Sequence, residues 1–239
     1  GAIAHYGIDP ARIDPYIVCD LMTSPDNQPD SHEYFATRMA PNAARAEVWR
    51  HVAKYLSKWI NPQGSLLDLA AGYGDLTGAV NASRRVAIDI HPDLATLVPS
   101  NVEAHVGDAT DLSRFADNEF ATVTASNFLE HLDDESITRC LSEVMRVLQP
   151  GGLLILIQPN YRLSAKTYFD DPTHVTIFDD KSLTECVVKN GFAHVRTEAR
   201  FLPMTLKSRL SAGHKLVPLY LRLPWRPLAG QMMVIARKP

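Results

Sequence analysis

Acidic side chains that could bind a nucleoside recur at intervals along the middle of this chain. The first lies in the turn Asp68-Leu-Ala-Ala-Gly-Tyr-Gly-Asp75, whose glycines let a ligand approach the backbone closely. Asp89 follows 17 positions after Gly72, a spacing at which a carboxylate can accept hydrogen bonds from both ribose hydroxyls. Asp108 follows Gly107 and could accept a bond from an adenine amino group or cap a short helix. The spacing of these acids predicts a nucleoside-binding site.

The charge of the first turn favours a cationic ligand. The dinucleotide pattern Gly-x-Gly-x-x-Gly is incomplete, because Thr77 stands at the third glycine position. Asp75 stands where a pyrophosphate would lie, and like charges oppose that ligand. Asp68 and Asp75 favour the ammonium and sulfonium of S-adenosylmethionine. An NAD(P)-dependent oxidoreductase remains the alternative, since both cofactors carry the ribose that Asp89 would bind.

Two histidines are candidate catalytic bases. His131 belongs to the stretch Ser126-Asn-Phe-Leu-Glu-His131, and His174 ends the polar stretch Tyr168-Phe-Asp-Asp-Pro-Thr-His174. Removing a proton from a hydroxyl acceptor typically accelerates its reaction by ~10² to 10⁴-fold, and the ordinary pKa of histidine suits that task. A structural role for either side chain is the competing interpretation.

The elements that must position these residues form a regular alternation. Apolar or β-branched runs predict strands, and three- and four-residue apolar spacing predicts helices between several of them. The predicted strands are 65–70, 84–90, 101–106, 120–126, 152–158, 192–201 and 231–237, and the clearest helices are 41–60, 133–148 and 179–190. Such alternation predicts an α/β fold with a parallel sheet, helices on both faces and ligands at the carboxyl ends of the strands.

The charge of the chain divides unevenly along its length. The net charge is −3, but residues 199–239 contain eight Lys and Arg and no acid, so residues 1–198 carry a net −11. Basic, leucine-rich sequence with Trp225 suits an anionic membrane surface or a lipid-linked anionic acceptor. The alternative is a cover packed on the substrate pocket. Nucleic acid is disfavoured, because the acidic majority of the chain repels phosphates.

Composition excludes several classes of protein. With 46% hydrophobic and 21% charged residues, the chain is neither disordered nor collagen-like. Cys19, Cys140 and Cys186 lack the spacing of a disulfide framework or zinc cluster. No run approaches the ~20 apolar residues of a membrane span, and the first residues do not resemble a signal peptide. We therefore expect a cytoplasmic protein with an irregular arm over 1–33, a domain over 34–239 and an insertion at 204–228.

Taken in chain order, the turn 68–75, Asp89 and Gly107-Asp108 resemble the motifs of class I S-adenosylmethionine-dependent methyltransferases. The resemblance extends over roughly residues 34–237. The resemblance implies a Rossmann-like three-layer sandwich with a seven-stranded, mostly parallel sheet whose last strand is antiparallel. It implies S-adenosylmethionine as cofactor and O-methylation of a small molecule or glycan. The implied cofactor-binding residues are Asp68, Ala70, Gly72, Gly74, Asp89, Ile90, Asp108, Ala109, Ser126 and Asn127. Ala70 departs from the usual first glycine of the turn.

A narrower resemblance concerns a metal. Glu130, His131 and His174 look like three of the ligands that bind a divalent cation in small-RNA 2′-O-methyltransferases. Asn127 stands where the first Glu of that Glu-x-x-Glu-His element is expected, and an amide is a poorer ligand than a carboxylate. The sequence alone therefore does not favour a metal. A non-catalytic S-adenosylmethionine-binding module remains a further alternative, and the sequence names neither the acceptor nor the oligomeric state.

Overall fold

The predicted strands pair into one sheet. The computed structural model describes residues 42–203 and 213–239. The strands are β1 (Ser65–Leu69), β2 (Arg84–Asp89), β3 (Glu103–Val106), β4 (Phe120–Ser126), β5 (Leu148–Pro159), β6 (Ala193–Glu198) and β7 (Gln231–Arg237). Their order is β3-β2-β1-β4-β5-β7-β6, with β7 antiparallel to β5 and β6 and the other pairs parallel. This confirms the predicted seven-stranded sheet with an antiparallel last strand.

The helices begin where the sequence offers a cap and an apolar stripe. They are α1 (Ala43–Leu56), α2 (Asp75–Ala79), α3 (Leu94–Leu97), α4 (Asp134–Val147), α5 (Tyr161–Ser164), α6 (Asp180–Lys189) and α7 (Val217–Tyr220). The Asp133 carboxylate accepts a hydrogen bond from the Ser136 backbone N–H and so starts α4. The buried face of α4 includes Ile137, Leu141 and Val144, which recur at three and four residues.

Helices cover both faces of the sheet and produce three layers. Leu154 and Leu156 of β5 pack in a core with buried residues of α4 and α6. Ile155 and Ile157 point to the opposite face and pack with α1 and α7. Because alternate residues of a strand face opposite sides, the continuous apolar run of β5 supplies both cores.

The structure differs from the sequence prediction at the start of β5. β5 begins at Leu148 rather than at residue 152, because Leu148 pairs with Phe120 and a register shift precedes the pairing of Thr122 with Leu153. The predicted arm at 1–33 and residues 204–212 of the predicted insertion lie outside the described residues. Within the described ranges, the helices are too short or too polar to cross a bilayer.

Candidate active site

The loop after β1 turns sharply at the carboxyl edge of the sheet. Ala70, Gly72 and Gly74 all have left-handed backbone, with φ of 49°, 55° and 63°. A Cβ on Gly74 would lie 3.0 Å from the Val98 side chain, so a larger residue is disfavoured by space as well as by φ. At Ala70 the same backbone region costs about 1–2 kcal/mol. The loop therefore adopts the conformation predicted for its glycines and retains strain at its alanine.

Asp89 connects the end of β2 to this loop. Its carboxylate is buried, and the two oxygens accept the backbone N–H groups of Gly72 at 2.9 Å and His91 at 3.0 Å. Since each carboxylate oxygen has two lone pairs, both retain acceptor capacity for a ligand. The neighbouring Ile90 is 59% exposed and offers an apolar surface beside this carboxylate. An acceptor pair next to an exposed apolar side chain fits the ribose and adenine of a nucleoside.

Asp68 faces the protein interior. Its carboxylate accepts hydrogen bonds from the hydroxyls of Thr124, at 2.6 Å, and Thr77. Burial raises the pKa of Asp68 to about 6, although both threonine bonds act in the opposite direction. These bonds connect β1 to β4 and to α2. Both oxygens of Asp68 are thus bonded within the protein, and its contact with a ligand stays a prediction.

The charge of Asp75 is also compensated within the protein. Its carboxylate lies 2.8 Å from the Arg45 guanidinium, and each side chain is about one-fifth exposed. From the sequence, Asp75 is expected to be an uncompensated negative charge at the start of α2. The ion pair with Arg45 of α1 overturns this expectation, and it could not be predicted from the residues of the turn alone.

The remaining predicted cofactor residues lie along the same edge of the sheet. Asp108 is exposed, and its side chain accepts the Thr110 N–H at 2.8 Å in a turn rather than as a helix cap. Ala109 is buried in the core, and Ser126 ends β4 half-buried. The Asn127 side chain accepts a hydrogen bond of 2.7 Å from Gln231. Contact of these residues with a cofactor stays a prediction.

The two predicted bases meet around one carboxylate. Glu130, His131 and His174 each place a ligating atom within 4.8 Å of the others. The Nε2 atoms of both histidines lie 4.0 Å from Glu130 Oε1, and the ring centroids are 4.9 Å apart. The backbone N–H groups of Val175 and Thr176 donate to the Glu130 carbonyl and hold the later segment against the turn after β4. Side chains 43 positions apart in sequence thus form one cluster.

Burial shapes the electrostatics of this cluster. Glu130 is fully buried, and neither of its carboxylate oxygens has a hydrogen-bond partner among the described residues. Burial raises the pKa of Glu130 to about 8, with a smaller contribution from the charge of Asp171. Burial also lowers the pKa of His131, and the charge of His174 adds to that effect. The cluster therefore disfavours a bare negative charge and a protonated imidazole alike.

Sequence reasoning missed the residues that orient these groups. Thr77 and Thr124 hold Asp68, and Thr173 holds His131 by accepting a bond at 2.9 Å from its Nδ1. Gln158 is fully buried at the end of β5, and its amide nitrogen has no partner among residues 42–203 and 213–239. A polar residue inside an apolar strand was the signal for Gln158, whereas the threonines carry no local signal.

A second concave region of the protein is lined mainly by basic residues. This basic groove of about 860 Å³ is lined by α1, the end of β6 and residues 218–226. Its cationic residues are Lys54, Lys58, Arg196, Arg200, Arg222 and Arg226. Trp225, at its rim, is 63% exposed, and Arg200 lies 5.4 Å from the centre of its ring.

One cation of the basic groove has a structural role. Arg226 is buried, and its guanidinium pairs with Glu198 at 2.5 Å and donates to the Leu221 carbonyl at 2.8 Å. The Tyr55 hydroxyl donates to the same Glu198 at 2.7 Å. Val217 and Leu221 pack in the core on this face of the sheet, while other cations of the groove remain at the surface, and the role of this segment as a cover of the substrate pocket stays a prediction.

Comparison with known proteins agrees with this geometry. Residues 67–156, which include β1 to most of β5, match a protein family described as a methyltransferase domain. A solved S-adenosylmethionine-dependent methyltransferase from Archaeoglobus fulgidus superposes with a TM-score of 0.63 and 18% identity, over 87% of this chain and all of that one. The predicted resemblance to class I S-adenosylmethionine-dependent methyltransferases is therefore confirmed over residues 67–156. S-adenosylmethionine is the cofactor of this family, and these matches give no support to the oxidoreductase alternative.

The chain spans about half the length of the curated relatives that it matches. A protein from Symbiobacterium thermophilum named demethylmenaquinone methyltransferase is 32% identical over 149 residues, which are 54% of this chain and 55% of that protein. A ubiquinone/menaquinone biosynthesis C-methyltransferase from Hydrogenovibrio crunogenus is 32% identical over 125 residues, or 46% and 48% of the two chains. Because these matches are partial, the activity and the acceptor must be argued from the residues of this chain.

The fold by itself does not specify the reaction. The structure titled [4+2]-cyclase SpnF superposes on this chain with a TM-score of 0.56 and 22% identity, covering 81% of this chain and 80% of that one. A protein named for a cyclisation thus shares the architecture, and function must be argued from side chains.

Proposed function

We propose that this protein transfers a methyl group from S-adenosylmethionine to an oxygen of a small-molecule or glycan acceptor. The observation that carries the proposal is the position of two polar groups at one sheet edge. Asp89 and its loop lie after β2 and β1, and the cluster of Glu130, His131 and His174 lies after β4. The first group suits a nucleoside, and the second suits an acceptor hydroxyl.

At the nucleoside end, the chain's own residues bind and orient the cofactor. The Asp89 carboxylate would accept from the ribose hydroxyls, Ile90 would cover the adenine and Asp108 would accept from its amino group. Ala70, Gly72 and Gly74 keep the loop close to the methionine portion, and Ala109, Ser126 and Asn127 complete the predicted contacts. When bound, S-adenosylmethionine supplies an activated methyl group on a sulfonium. The protein's contribution is alignment, which can correspond to effective molarities of ~10⁵ M or more.

At the acceptor end, the two histidines hold or remove the acceptor proton. The His131 Nδ1 lies 3.1 Å from the Thr173 carbonyl oxygen, which only accepts, so Nδ1 carries the hydrogen in this arrangement. Its Nε2 then presents a lone pair to the cluster and can accept a proton from a hydroxyl. His174 is the second candidate base, and the Gln158 amide nitrogen, which lacks a partner among the described residues, can donate to the acceptor.

A second candidate acceptor atom is a ring carbon of a quinol-type molecule. The names of the two curated relatives favour it, because one is a demethylmenaquinone methyltransferase and the other a ubiquinone/menaquinone biosynthesis C-methyltransferase. Removing a proton from a ring hydroxyl makes the adjacent carbon more nucleophilic, so the same bases suit this reaction. The two candidates therefore differ in the methylated atom and share the requirement for proton removal.

The test is methyl transfer with a labelled donor. The full chain is incubated with ¹³C-methyl S-adenosylmethionine and, in parallel, with a naphthoquinol, a simple phenol or a hexose glycoside. The proposal predicts labelled product from at least one acceptor, with a carbon shift typical of a methyl ether for oxygen and of an aryl methyl for carbon. Full binding of S-adenosylhomocysteine without transfer to any acceptor class would favour the non-catalytic alternative.

We also propose that the basic groove binds a phosphate group of a membrane lipid or lipid-linked acceptor. Lys54, Lys58, Arg200 and Arg222 supply positive charge, and the exposed Trp225 and Leu219 supply apolar contact. Lys58 lies 3.7 Å from the centre of the Tyr55 ring, so one cation is already positioned by an aromatic side chain. Cations beside exposed aromatic and aliphatic groups suit a lipid headgroup region.

Vesicle co-sedimentation tests this surface. Binding to vesicles with anionic lipid should be lost in Arg200→Glu/Arg222→Glu and retained in the exposed control Lys181→Glu. Arg226 is unsuitable for substitution, because removing it would leave Glu198 buried without its main counter-ion. Equal binding of all three proteins, or no binding of wild type, would contradict the proposal. Competition by inorganic pyrophosphate would distinguish a headgroup phosphate from attachment through the apolar residues.

A further inference from the structure

The cluster of Glu130, His131 and His174 has the composition of a metal site. A carboxylate and two imidazoles from three residues place their ligating atoms within 4.8 Å of one another. Three protein ligands of this kind, with one open position, are the usual set of catalytic zinc sites. Polar side chains often lie close together without binding a metal. Three further features of this cluster point to a cation.

The first observation is the unsatisfied carboxylate. Glu130 is buried, and both of its oxygens lack a hydrogen-bond partner among the described residues. Asp68, one strand away, is equally buried but accepts bonds from two hydroxyls. A buried carboxylate without a hydrogen-bond donor or counter-ion is strongly disfavoured. Glu130 therefore calls for a positive partner in the space that it shares with the two histidines.

The second observation is the orientation of His131. Its Nδ1 donates toward the Thr173 carbonyl at 3.1 Å and the Thr173 hydroxyl at 2.9 Å, while that hydroxyl donates to Asp171 at 2.6 Å. The neutral ring then directs the Nε2 lone pair toward Glu130 Oε1, 4.0 Å away. A lone pair facing a carboxylate is repulsive unless a proton or a metal cation lies between them, and a cation would also join the second imidazole. Histidine ligands of metals typically have their other nitrogen held in this way.

Aromatic packing also fixes His174. The Tyr168 ring is fully buried and meets the His174 ring edge-on, with centroids 4.8 Å apart. The Tyr168 hydroxyl donates to the Thr176 carbonyl at 2.6 Å, which holds the tyrosine in place. His174 Nε2 consequently remains 4.0 Å from the same Glu130 oxygen that His131 faces. Both imidazoles are oriented by neighbouring residues, as a preorganised site requires.

We propose that Glu130, His131 and His174 bind a divalent transition-metal cation, with Zn²⁺ preferred over Mg²⁺. Two imidazoles and one carboxylate suit zinc, whereas magnesium prefers oxygen ligands. Ligands at the usual zinc distances lie about 3.3 Å apart in a tetrahedral site, so ligating atoms that lie 4.0 Å and up to 4.8 Å apart must move closer through side-chain rotation. The assignment concerns cation binding and is independent of methyl transfer.

The proposed role of the cation rests on the proposed function. The open position would take the acceptor oxygen, and coordination lowers the pKa of the bound hydroxyl. The proton passes to water, and the oxygen lone pair becomes available for methylation. With the cation bound, His131 and His174 act as ligands, and proton removal depends on coordination instead of on a free imidazole.

Metal titration of the full chain tests the site directly. Protein stripped with chelator is titrated calorimetrically with Zn²⁺, Mn²⁺ and Mg²⁺, and Co²⁺ absorption reports the coordination geometry. We expect one tight Zn²⁺ per chain, weaker Mn²⁺, little Mg²⁺ and a tetrahedral Co²⁺ spectrum. Glu130→Gln and His174→Ala should each weaken Zn²⁺ binding at least ~100-fold, whereas the exposed control His194→Ala should not.

The outcomes separate this inference from the proposed function. Binding of S-adenosylhomocysteine checks that each variant is folded and has its cofactor site. If wild type binds S-adenosylhomocysteine but no stoichiometric cation, the metal site is refuted and the methyltransferase proposal stands. Zn²⁺ binding that persists unchanged in Glu130→Gln and His174→Ala also refutes this site. Tight, variant-sensitive Zn²⁺ binding without methyl transfer would support the site and count against the proposed reaction.

Discussion

Two buried carboxylates at the same edge of the sheet differ in how their charge is accommodated. Asp68 accepts hydrogen bonds from Thr77 and Thr124, whereas Glu130 has no hydrogen-bond partner among the described residues. Asp89, beside Asp68, likewise has both oxygens bonded to backbone N–H groups. The nucleoside end of the site is therefore completed by the chain itself, while the acceptor end requires a partner from outside the chain.

Among the substitutions that test this comparison, Asp89→Ala should have the largest effect. Asp89→Ala should weaken S-adenosylhomocysteine binding by about 100- to 1,000-fold, because the ribose loses charge-assisted bonds of roughly 1.5–3 kcal/mol each. Calorimetry measures this change, and Asp93→Ala, an exposed acid four residues later, is the matched control. Affinity within a factor of three of wild type would show that Asp89 does not contact the nucleoside.

The next effect concerns the acceptor end. Glu130→Gln should reduce methyl transfer about 100-fold, because the amide is a poorer ligand for the cation that assists removal of the acceptor proton, and leave S-adenosylhomocysteine affinity within twofold. Steady-state rates and calorimetry on the same preparation provide both values, with the exposed Glu185→Gln as control. A parallel loss of cofactor affinity and rate would place Glu130 in the cofactor site and remove the contrast between the two ends.

Burial of the Asp68 carboxylate should make the free energy of unfolding depend on pH. The folded-state pKa of Asp68 is raised to about 6, so its stabilising contribution is present below pH 4 and lost as pH rises through 6. Asp68→Asn should therefore raise the free energy of unfolding at pH 8 by up to about 3 kcal/mol, with the gain vanishing near pH 4. Urea unfolding at both pH values measures it. An equal change at both pH values would contradict the burial argument.

The smallest expected effect is at Ala70. Glycine should relieve left-handed strain of about 1–2 kcal/mol and lose roughly 0.5–1 kcal/mol to chain entropy. Ala70→Gly should thus stabilise the protein by up to about 1 kcal/mol in urea unfolding, while Ala109→Gly, which removes a buried methyl group, should destabilise it. A destabilised Ala70→Gly would mean that the alanine methyl group makes a packing contribution larger than its strain.

The sequence predicted most of the fold because its signals are local. The helix cap at Asp133 and the apolar runs of the strands depend on neighbouring residues, and the observed α4 and strand bounds agree closely with the predicted ones. The antiparallel direction of the last strand was predicted only through the family resemblance, and the order of the strands was not predicted. The start of β5 was misplaced because Pro150 and two glycines suggested a turn, whereas the backbone pairs from Leu148 onward.

The site was predictable only in part, because its decisive contacts join distant residues. His131 and His174 were both candidates, but their common contact with Glu130 depends on a segment returning to the turn after β4. The pairing of Asp75 with Arg45, 30 positions away, removed a charge argument that was sound for the isolated turn. Similarly, the burial of Arg226 against Glu198 could not be read from a run of basic residues.

Calorimetric titration of the full chain tests the central claim that this sheet edge is built for S-adenosylmethionine. S-adenosylhomocysteine and NADH are titrated separately into chelator-treated wild type, since the nucleoside end is completed without a cation. The account predicts one S-adenosylhomocysteine per chain with micromolar or tighter affinity and no measurable NADH binding. Tight NADH binding, with S-adenosylhomocysteine inert, would contradict it.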